Sequence, residues 1–265
     1  VSIACGVART TEPQADREPT QGEIVQSTAT LTSIPSEMEP TSIPVRIISG
    51  TSEVTYHSDE IELQAFLCVP DGEGPFPAVV YNHGGVGDQV GGPVRDICEA
   101  LADEGYVGLS PIRRATKSLD GHIDDVIAAV EYVMALEYVD QTHLGIMGFS
   151  RGGLLTLMAA TLRDDFEAVV LMAPAPGGQN DFENTLANVD NVTAPVLILV
   201  SENDTEPNDL VRLSHMAKDA LEAEGKQVAL IMYPPYGDDG HYMFFEIGDY
   251  WSDVQLFLSE NIVQE

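Results

Sequence analysis

The sequence predicts an α/β fold in which a doubly wound, mostly parallel central sheet is flanked by helices and has no large cap domain. Short apolar runs rich in β-branched residues alternate with stretches whose apolar residues recur at helical spacing, as in parallel sheets with helical crossovers. The 265 residues are 44% hydrophobic and 21% charged, which suits one large packed domain. Only about twenty residues separate Pro174 from Pro195, between two late strands, and a large cap needs more.

Residues 1–44 differ in composition from the rest of the chain and predict a disordered tether, followed by a folded domain over residues 45–265. From Thr10 onward the segment is rich in Thr, Ser, Pro and Glu, so it cannot bury enough apolar surface to fold. Cys5, preceded by Ile3 and Ala4, resembles the lipid-accepting cysteine of bacterial lipoproteins, although Ser2 stands where a larger aliphatic residue is usual. We therefore expect an extracellular or cell-envelope protein, with Cys5 as a candidate lipid anchor.

The charge of the chain restricts its partners. With 12 Lys and Arg against 43 Asp and Glu, the formal net charge is −31. A surface of this sign repels nucleic acid and anionic membranes, so neither is expected as a partner. The acidity is consistent with an ordinary solvated surface or with a saline habitat.

The predicted elements follow one another in a regular order after residue 44. Strand-like runs alternate their apolar residues or are apolar throughout, and helical runs place apolar residues on one face. The predicted strands cover residues 45–49, 54–57, 60–69, 77–82, 107–111, 144–149, 168–172, 196–200 and 228–233, and the predicted helices cover 94–104, 123–134, 154–162, 209–224 and 245–261.

Three cysteines occur, and none belongs to a Cys-x-x-Cys pair that would suggest zinc. Cys68 lies in a predicted strand and Cys98 on the apolar face of a predicted helix. Both are expected to be buried free thiols.

The run Gly148-Phe149-Ser150-Arg151-Gly152 stands between a predicted strand and a predicted helix, and it marks Ser150 as a candidate nucleophile. Glycines on either side of the serine permit a tight turn that raises the hydroxyl clear of the backbone. The helix that follows directs free amide groups and its positive end towards the reacting atoms.

A serine hydroxyl needs a base and an orienting carboxylate before it can attack. His241 lies in a glycine-containing loop after the strand 228–233, at the carboxyl end of the sheet, where active groups of such folds collect. Asp204 follows the strand 196–200 in the same way, with Glu202 as its competitor. We therefore predict Ser150, His241 and Asp204 as a catalytic triad. The other histidines are expected to have packing, capping or surface roles.

The negative oxygen of a tetrahedral intermediate needs backbone donors. A glycine-rich turn begins after the strand 77–82 at His83 and Gly84, and it supplies the amide of Gly85. The amide of Arg151 is the predicted second donor, with Val86 as the alternative to Gly85. His83 itself is expected to be structural.

The order Ser150, Asp204, His241, preceded by His83-Gly84-Gly85, resembles the α/β-hydrolase superfamily from about residue 45 onward. Gly-Phe-Ser-Arg-Gly-Gly and Gly-His-Tyr-Met-Phe-Phe are most similar to the dienelactone hydrolase-like branch and its prolyl-oligopeptidase-type relatives. Dienelactone hydrolases use a cysteine nucleophile where this chain has Ser150, so their substrate is not carried over.

The predicted activity is hydrolysis of a small or accessible carboxylic ester through an acyl-enzyme, with no metal or organic cofactor. A serine peptidase of the prolyl-oligopeptidase type and a non-catalytic, tethered binding protein are the alternatives. Arg113, Arg114 and Lys117 form the most basic cluster and could bind a substrate carboxylate, or they could pair with acidic neighbours. The candidate pocket residues are Val86, Tyr236, Met243 and Phe244.

Overall fold

The computed structural model describes residues 48–262, which contain a single eight-stranded sheet. The strands are β1 (Gly50–Ser58), β2 (Ile61–Val69), β3 (Phe76–Asn82), β4 (Val107–Ile112), β5 (Val139–Phe149), β6 (Ala168–Met172), β7 (Val196–Ser201) and β8 (Val228–Tyr233). The helices are α1 (Val94–Asp103), α2 (His122–Met134), α3 (Arg151–Leu162), α4 (Asp181–Leu186), α5 (Leu210–Ala223) and α6 (Trp251–Asn261).

The strand order is β1-β2-β4-β3-β5-β6-β7-β8. β2 runs antiparallel to both β1 and β4, and every other neighbouring pair is parallel. The predicted mostly parallel α/β architecture is therefore confirmed. β3, β6 and β7 are buried along their whole length because helices cover both faces, and their sequences are correspondingly apolar throughout. The edge strands β1 and β8 carry exposed residues.

The connection between β6 and β7 holds only α4 and the 3₁₀ helix Val189–Asn191, so no large cap is inserted there. The predicted strand 45–49 is not found at Ile48 and Ser49, and its first three residues lie outside the described part of the chain, as do the tether and Cys5. The predicted final helix, residues 245–261, begins only at Trp251 as α6, and Phe245 instead ends a 3₁₀ helix, Gly240–Phe245. Within residues 48–262, no helix has the length and apolar character needed to cross a membrane.

The prediction that Cys68 and Cys98 are free thiols is wrong. Their sulfur atoms are bonded to each other, with the two Cα atoms 5.6 Å apart. α1 packs against β2 and β4, which brings Cys98 of the helix over Cys68 of the strand. Hydrophobic spacing indicates which face of each element is buried, but it does not reveal which buried faces meet.

Candidate active site

Ser150 stands between the last residue of β5 and the first residue of α3, in a backbone conformation that non-glycine residues rarely adopt. Its φ is 55° and its ψ is −118°, a strain that typically costs about 1–3 kcal/mol. The surrounding backbone holds it there. The Ser150 amide donates to the Met172 carbonyl at 2.8 Å, and its carbonyl accepts from the amides of Leu154 at 3.1 Å and Ala175 at 3.0 Å.

The glycines on either side of Ser150 are required by close approach of the backbone. A Cβ on Gly152 would collide with the Asn82 carbonyl at the end of β3, and one on Gly148 would collide with the Gly152 carbonyl. The Gly-x-Ser-x-Gly spacing therefore allows α3 to start directly against the ends of two central strands. Ser150 lines the pocket described below.

The predicted acid and base lie in hydrogen-bonding contact. His241 Nδ1 and Asp204 Oδ2 are 2.9 Å apart, and the Asp204 side chain is only 1% exposed while that of His241 is 25% exposed. The Asp239 carboxylate accepts from the His241 amide at 2.9 Å and caps the 3₁₀ helix that carries the imidazole. The Phe149 ring lies 4.6 Å from the imidazole, centroid to centroid. This contact brings His241 beside the residue that precedes Ser150.

A pocket of about 680 Å³ gathers four of the predicted catalytic and oxyanion residues, Ser150, His241, Gly85 and Arg151. Asp204 stands behind His241. The remaining lining comes from the turn after β3, the end of β5, the segments after β6 and β7, and the 3₁₀ helix: Val86, Gln89, Val90, Gly91, Phe149, Ala175, Pro176, Gly177, Asn208, Tyr242 and Phe245.

The glycine-rich turn after β3 presents free backbone donors to this pocket. Gly84 and Gly91 exchange two backbone hydrogen bonds, of 2.8 and 3.1 Å, which close the turn, and Gly85 has a φ of 91° that favours glycine. Among residues 48–262, no acceptor lies on the amides of Gly85, Val86 or Arg151. An oxyanion in the pocket could receive hydrogen bonds from this turn and from the start of α3.

His83 is buried beneath the turn, as a structural residue would be. Its Nδ1 donates to the Gly84 carbonyl at 2.5 Å and its Nε2 accepts from the Arg113 amide at 3.3 Å, so the ring is neutral. Burial, reinforced by the charge of Arg113, lowers the pKa of His83 to about 3. The Arg113 guanidinium in turn donates to the His83 carbonyl at 2.5 Å.

Most of the predicted substrate contacts do not reach the pocket. Arg113 is buried and bonded to His83, and burial together with the charge of Arg151 lowers its pKa to about 10. Arg114 pairs with the fully buried Asp125 at 2.6 Å, which is the ion-pair alternative considered above. Lys117 is exposed.

The aromatic and methionine candidates are also placed elsewhere, with Val86 alone of the pocket candidates lining the cavity. Met243 and Phe244 are buried in the core. Tyr236 is exposed, and its hydroxyl donates to Glu246 at 2.7 Å. The sequence reasoning missed Tyr242 and Phe245, which are three residues apart and therefore share a face of the 3₁₀ helix. The signal for them is the 3₁₀ turn, which places residues three apart on the same face.

No group of three or more His, Cys, Asp or Glu in the described residues is arranged to hold a metal ion. The groups that the site offers for chemistry are Ser150, His241, Asp204 and the backbone amides around them.

Comparison with known proteins places this geometry in context. A model of the prolyl oligopeptidase family matches residues 112–177, which include Ser150. A protein of Aquifex aeolicus named "Putative carboxymethylenebutenolidase" is 23% identical over 175 residues, covering 59% of this chain and 73% of that protein. A Klebsiella pneumoniae structure titled "Putative Dienelactone Hydrolase" aligns with a TM-score of 0.66 at 19% identity, over 79% of this chain and 98% of that one.

The chain has the α/β-hydrolase fold. The same fold recurs in an esterase of Pyrobaculum calidifontis, with a TM-score of 0.66 at 19% identity over 81% of this chain and 85% of that one. The predicted resemblance of this chain to the dienelactone hydrolase-like and prolyl-oligopeptidase-related branches is confirmed.

Proposed function

We propose that this protein is a serine carboxylesterase that cleaves a small or accessible ester. The observation that carries the proposal is the 2.9 Å contact of His241 with the buried Asp204, on the same pocket as a serine held at positive φ. The esterase and dienelactone hydrolase names among its relatives support the same reaction class.

The proposed reaction has two steps. His241 Nε2 removes the Ser150 hydroxyl proton while Oγ attacks the ester carbonyl, and Asp204 stabilises the imidazolium through Nδ1. The carbonyl oxygen becomes negative and receives hydrogen bonds from the amides of Gly85 and Arg151. The C–O bond to the alcohol then breaks, and His241 returns the proton to the departing oxygen.

The second step regenerates the serine. His241 removes a proton from water, which attacks the acyl-Ser150 carbonyl, and the same two amides stabilise the new oxyanion. Collapse of this intermediate releases the carboxylic acid and returns the proton to Ser150. Each step uses groups within the pocket, and none requires a cofactor.

A serine peptidase is the second candidate, because the prolyl oligopeptidase family model spans the segment that holds Ser150. A fluorophosphonate label, short p-nitrophenyl esters and aminoacyl-p-nitroanilides separate the possibilities. We expect the wild-type protein to be labelled and to cleave the esters, and the Ser150→Ala variant to do neither. Cleavage of the anilides alone would assign a peptidase, and a wild-type protein that neither labels nor cleaves would be a non-catalytic binding protein.

We also propose that the protein works outside the cytosol, in the cell envelope or beyond it, with Cys5 as a lipid anchor. The disulfide between Cys68 and Cys98 supports this location, because such bonds persist in oxidising compartments. Material expressed with a native export signal should show the bonded cysteines in non-reducing peptide mapping and a lipid mass on Cys5. Cytosolic material that carries the same bond, or a native Cys5 without lipid, would contradict the corresponding part of the proposal.

A further inference from the structure

The entrance to the pocket is unusually apolar for a chain of net charge −31. Ten large hydrophobic side chains are exposed within residues 48–262, and four of them line this one pocket. We call these four residues the apolar rim: Val86, Val90, Tyr242 and Phe245, which are 43, 45, 58 and 43% exposed. Exposed apolar surface gathered at one place marks a site that a ligand covers.

The apolar rim is attached to the reacting groups. The Phe245 ring lies 5.5 Å from Phe149, which precedes Ser150, and 5.1 Å from the Tyr242 ring, centroid to centroid. Val86 and Val90 belong to the turn that presents the Gly85 amide and is closed by Gly84 and Gly91. A group resting on the rim would therefore lie within reach of a carbonyl carbon at Ser150.

We propose that the apolar rim is a specificity site for an apolar substituent of the scissile ester, of aryl or medium alkyl size. This proposal rests on the proposed ester hydrolysis. The 680 Å³ pocket has the volume of a small-molecule site.

The acyl chain length of the substrate tests the proposed specificity site. With p-nitrophenyl acetate, butyrate and hexanoate, we expect kcat/KM to rise about fourfold for each added methylene that the rim covers. Benzyl and methyl acetate provide the same test on the alcohol side. Phe245→Ala and Val90→Ala should reduce the preference for the larger group, whereas Leu256→Ala, which removes an exposed leucine of α6, should not.

The outcomes distinguish the two proposals. A wild-type enzyme that cleaves acetates but shows no preference for the larger group in either series would overturn the specificity site and leave the esterase intact. A wild-type enzyme inactive on every ester would instead remove the proposed function.

Asn203 joins the loop before His241 to the loop that holds Asp204 through side-chain hydrogen bonds. Its Oδ1 accepts from the Tyr236 amide at 2.9 Å, and its Nδ2 donates to the carbonyls of Tyr236 at 3.3 Å and Gly237 at 3.2 Å. A Cβ on Gly240 would meet Asn203 Oδ1 at 2.7 Å, so the two loops are closely packed.

We infer that Asn203 is a positioning residue that sets the approach of His241 to Asp204. Its side chain contacts the His241 loop at both backbone polar groups of Tyr236, which no apolar residue of similar size could do. Loss of these bonds would leave the imidazole attached to Asp204 through a less constrained loop. Misplacement of a catalytic group by about 1 Å can cost about 100-fold in rate.

A double-mutant cycle tests this role. Asn203→Ala should lower kcat with little change in KM in the wild-type background, and the loss should largely disappear in an Asp204→Asn background, where the pair is already broken. Asn188→Ala, which removes a hydrogen bond from an exposed asparagine to Asn184, is the control. Equal losses of kcat in the two backgrounds, or no loss in either, would overturn the inference.

Discussion

Ser150 and His241 face the same pocket, but different kinds of interaction hold them in place. The serine is fixed by backbone hydrogen bonds to Met172 and Ala175 and by glycines that let α3 press against the sheet. The histidine belongs to a segment, residues 234–245, that side chains hold: Asn203, Asp239 and Asp204. Single side-chain changes should therefore disturb the placement of His241 without unfolding the protein, whereas the placement of Ser150 should be sensitive chiefly to changes that reach the backbone.

The strongest test of how side chains hold His241 is Asp204→Asn. We expect kcat for p-nitrophenyl butyrate to fall about 10⁴-fold, because the amide no longer selects the productive tautomer of His241. The thermal midpoint should change little. Glu202→Gln removes the competing, exposed carboxylate two residues earlier and should leave kcat within a factor of two. The reverse pattern would assign the acid to Glu202.

Gly152→Ala tests the backbone packing that holds Ser150. Its new Cβ would displace the Asn82 carbonyl or the start of α3, and we expect an activity loss of about 100-fold with an unfolding free energy lower by about 3 kcal/mol. Gly248→Ala is the matched control, because no atom beyond its immediate chain neighbours lies within 4 Å of the position that its added methyl group would take. Urea unfolding and ester kinetics on both variants measure the difference. A stable, active Gly152→Ala enzyme would contradict the close packing.

Lowering the pH should reduce the unfolding free energy of the protein through His83, which is buried beneath the Gly85 turn. The pKa of His83 is about 3 in the folded chain and 6.5 as a free side chain, so below pH 6.5 the unfolded chain takes up a proton that the folded chain does not. The unfolding free energy should therefore fall by up to about 1.4 kcal/mol per pH unit from pH 6.5 towards 3 through this residue. Urea unfolding of His83→Gln between pH 7 and 4 should show a smaller slope, while the exposed His57→Gln should follow the wild type. Parallel curves for the two variants would exclude this contribution.

The smallest effect is expected at the exposed edge of the segment 234–245. Tyr236→Phe removes only the exposed hydrogen bond from its hydroxyl to Glu246 and keeps the backbone bonds to Asn203. We expect less than about 1 kcal/mol of stability to be lost, and kcat to change less than twofold. A large drop in kcat would mean that the outer side chains of the loop, and not Asn203, control His241.

The difference between the two regions also explains what the sequence could predict. The parallel sheet and the turn at Ser150 follow from local patterns. The apolar runs on either side indicate a strand and a helix, and Gly148 and Gly152 permit the tight turn between them. Tyr242 and Phe245 were missed because their direction depends on a 3₁₀ turn, and the sequence alone favours Met243 and Phe244 in their place. The pairing of Cys68 with Cys98 and the contacts of Arg113 depend on which elements become neighbours, and no local pattern specifies that.

The disulfide also changes the covalent topology of the chain. Joining Cys68 to Cys98 closes a ring that contains β3 and the turn with Gly85, including the exposed positions Val86 and Val90. A protease that cut the chain once within this turn would leave both fragments joined through the sulfur atoms. This exposed wall of the pocket thus lies on a closed loop, where a single cleavage does not separate the chain into two pieces.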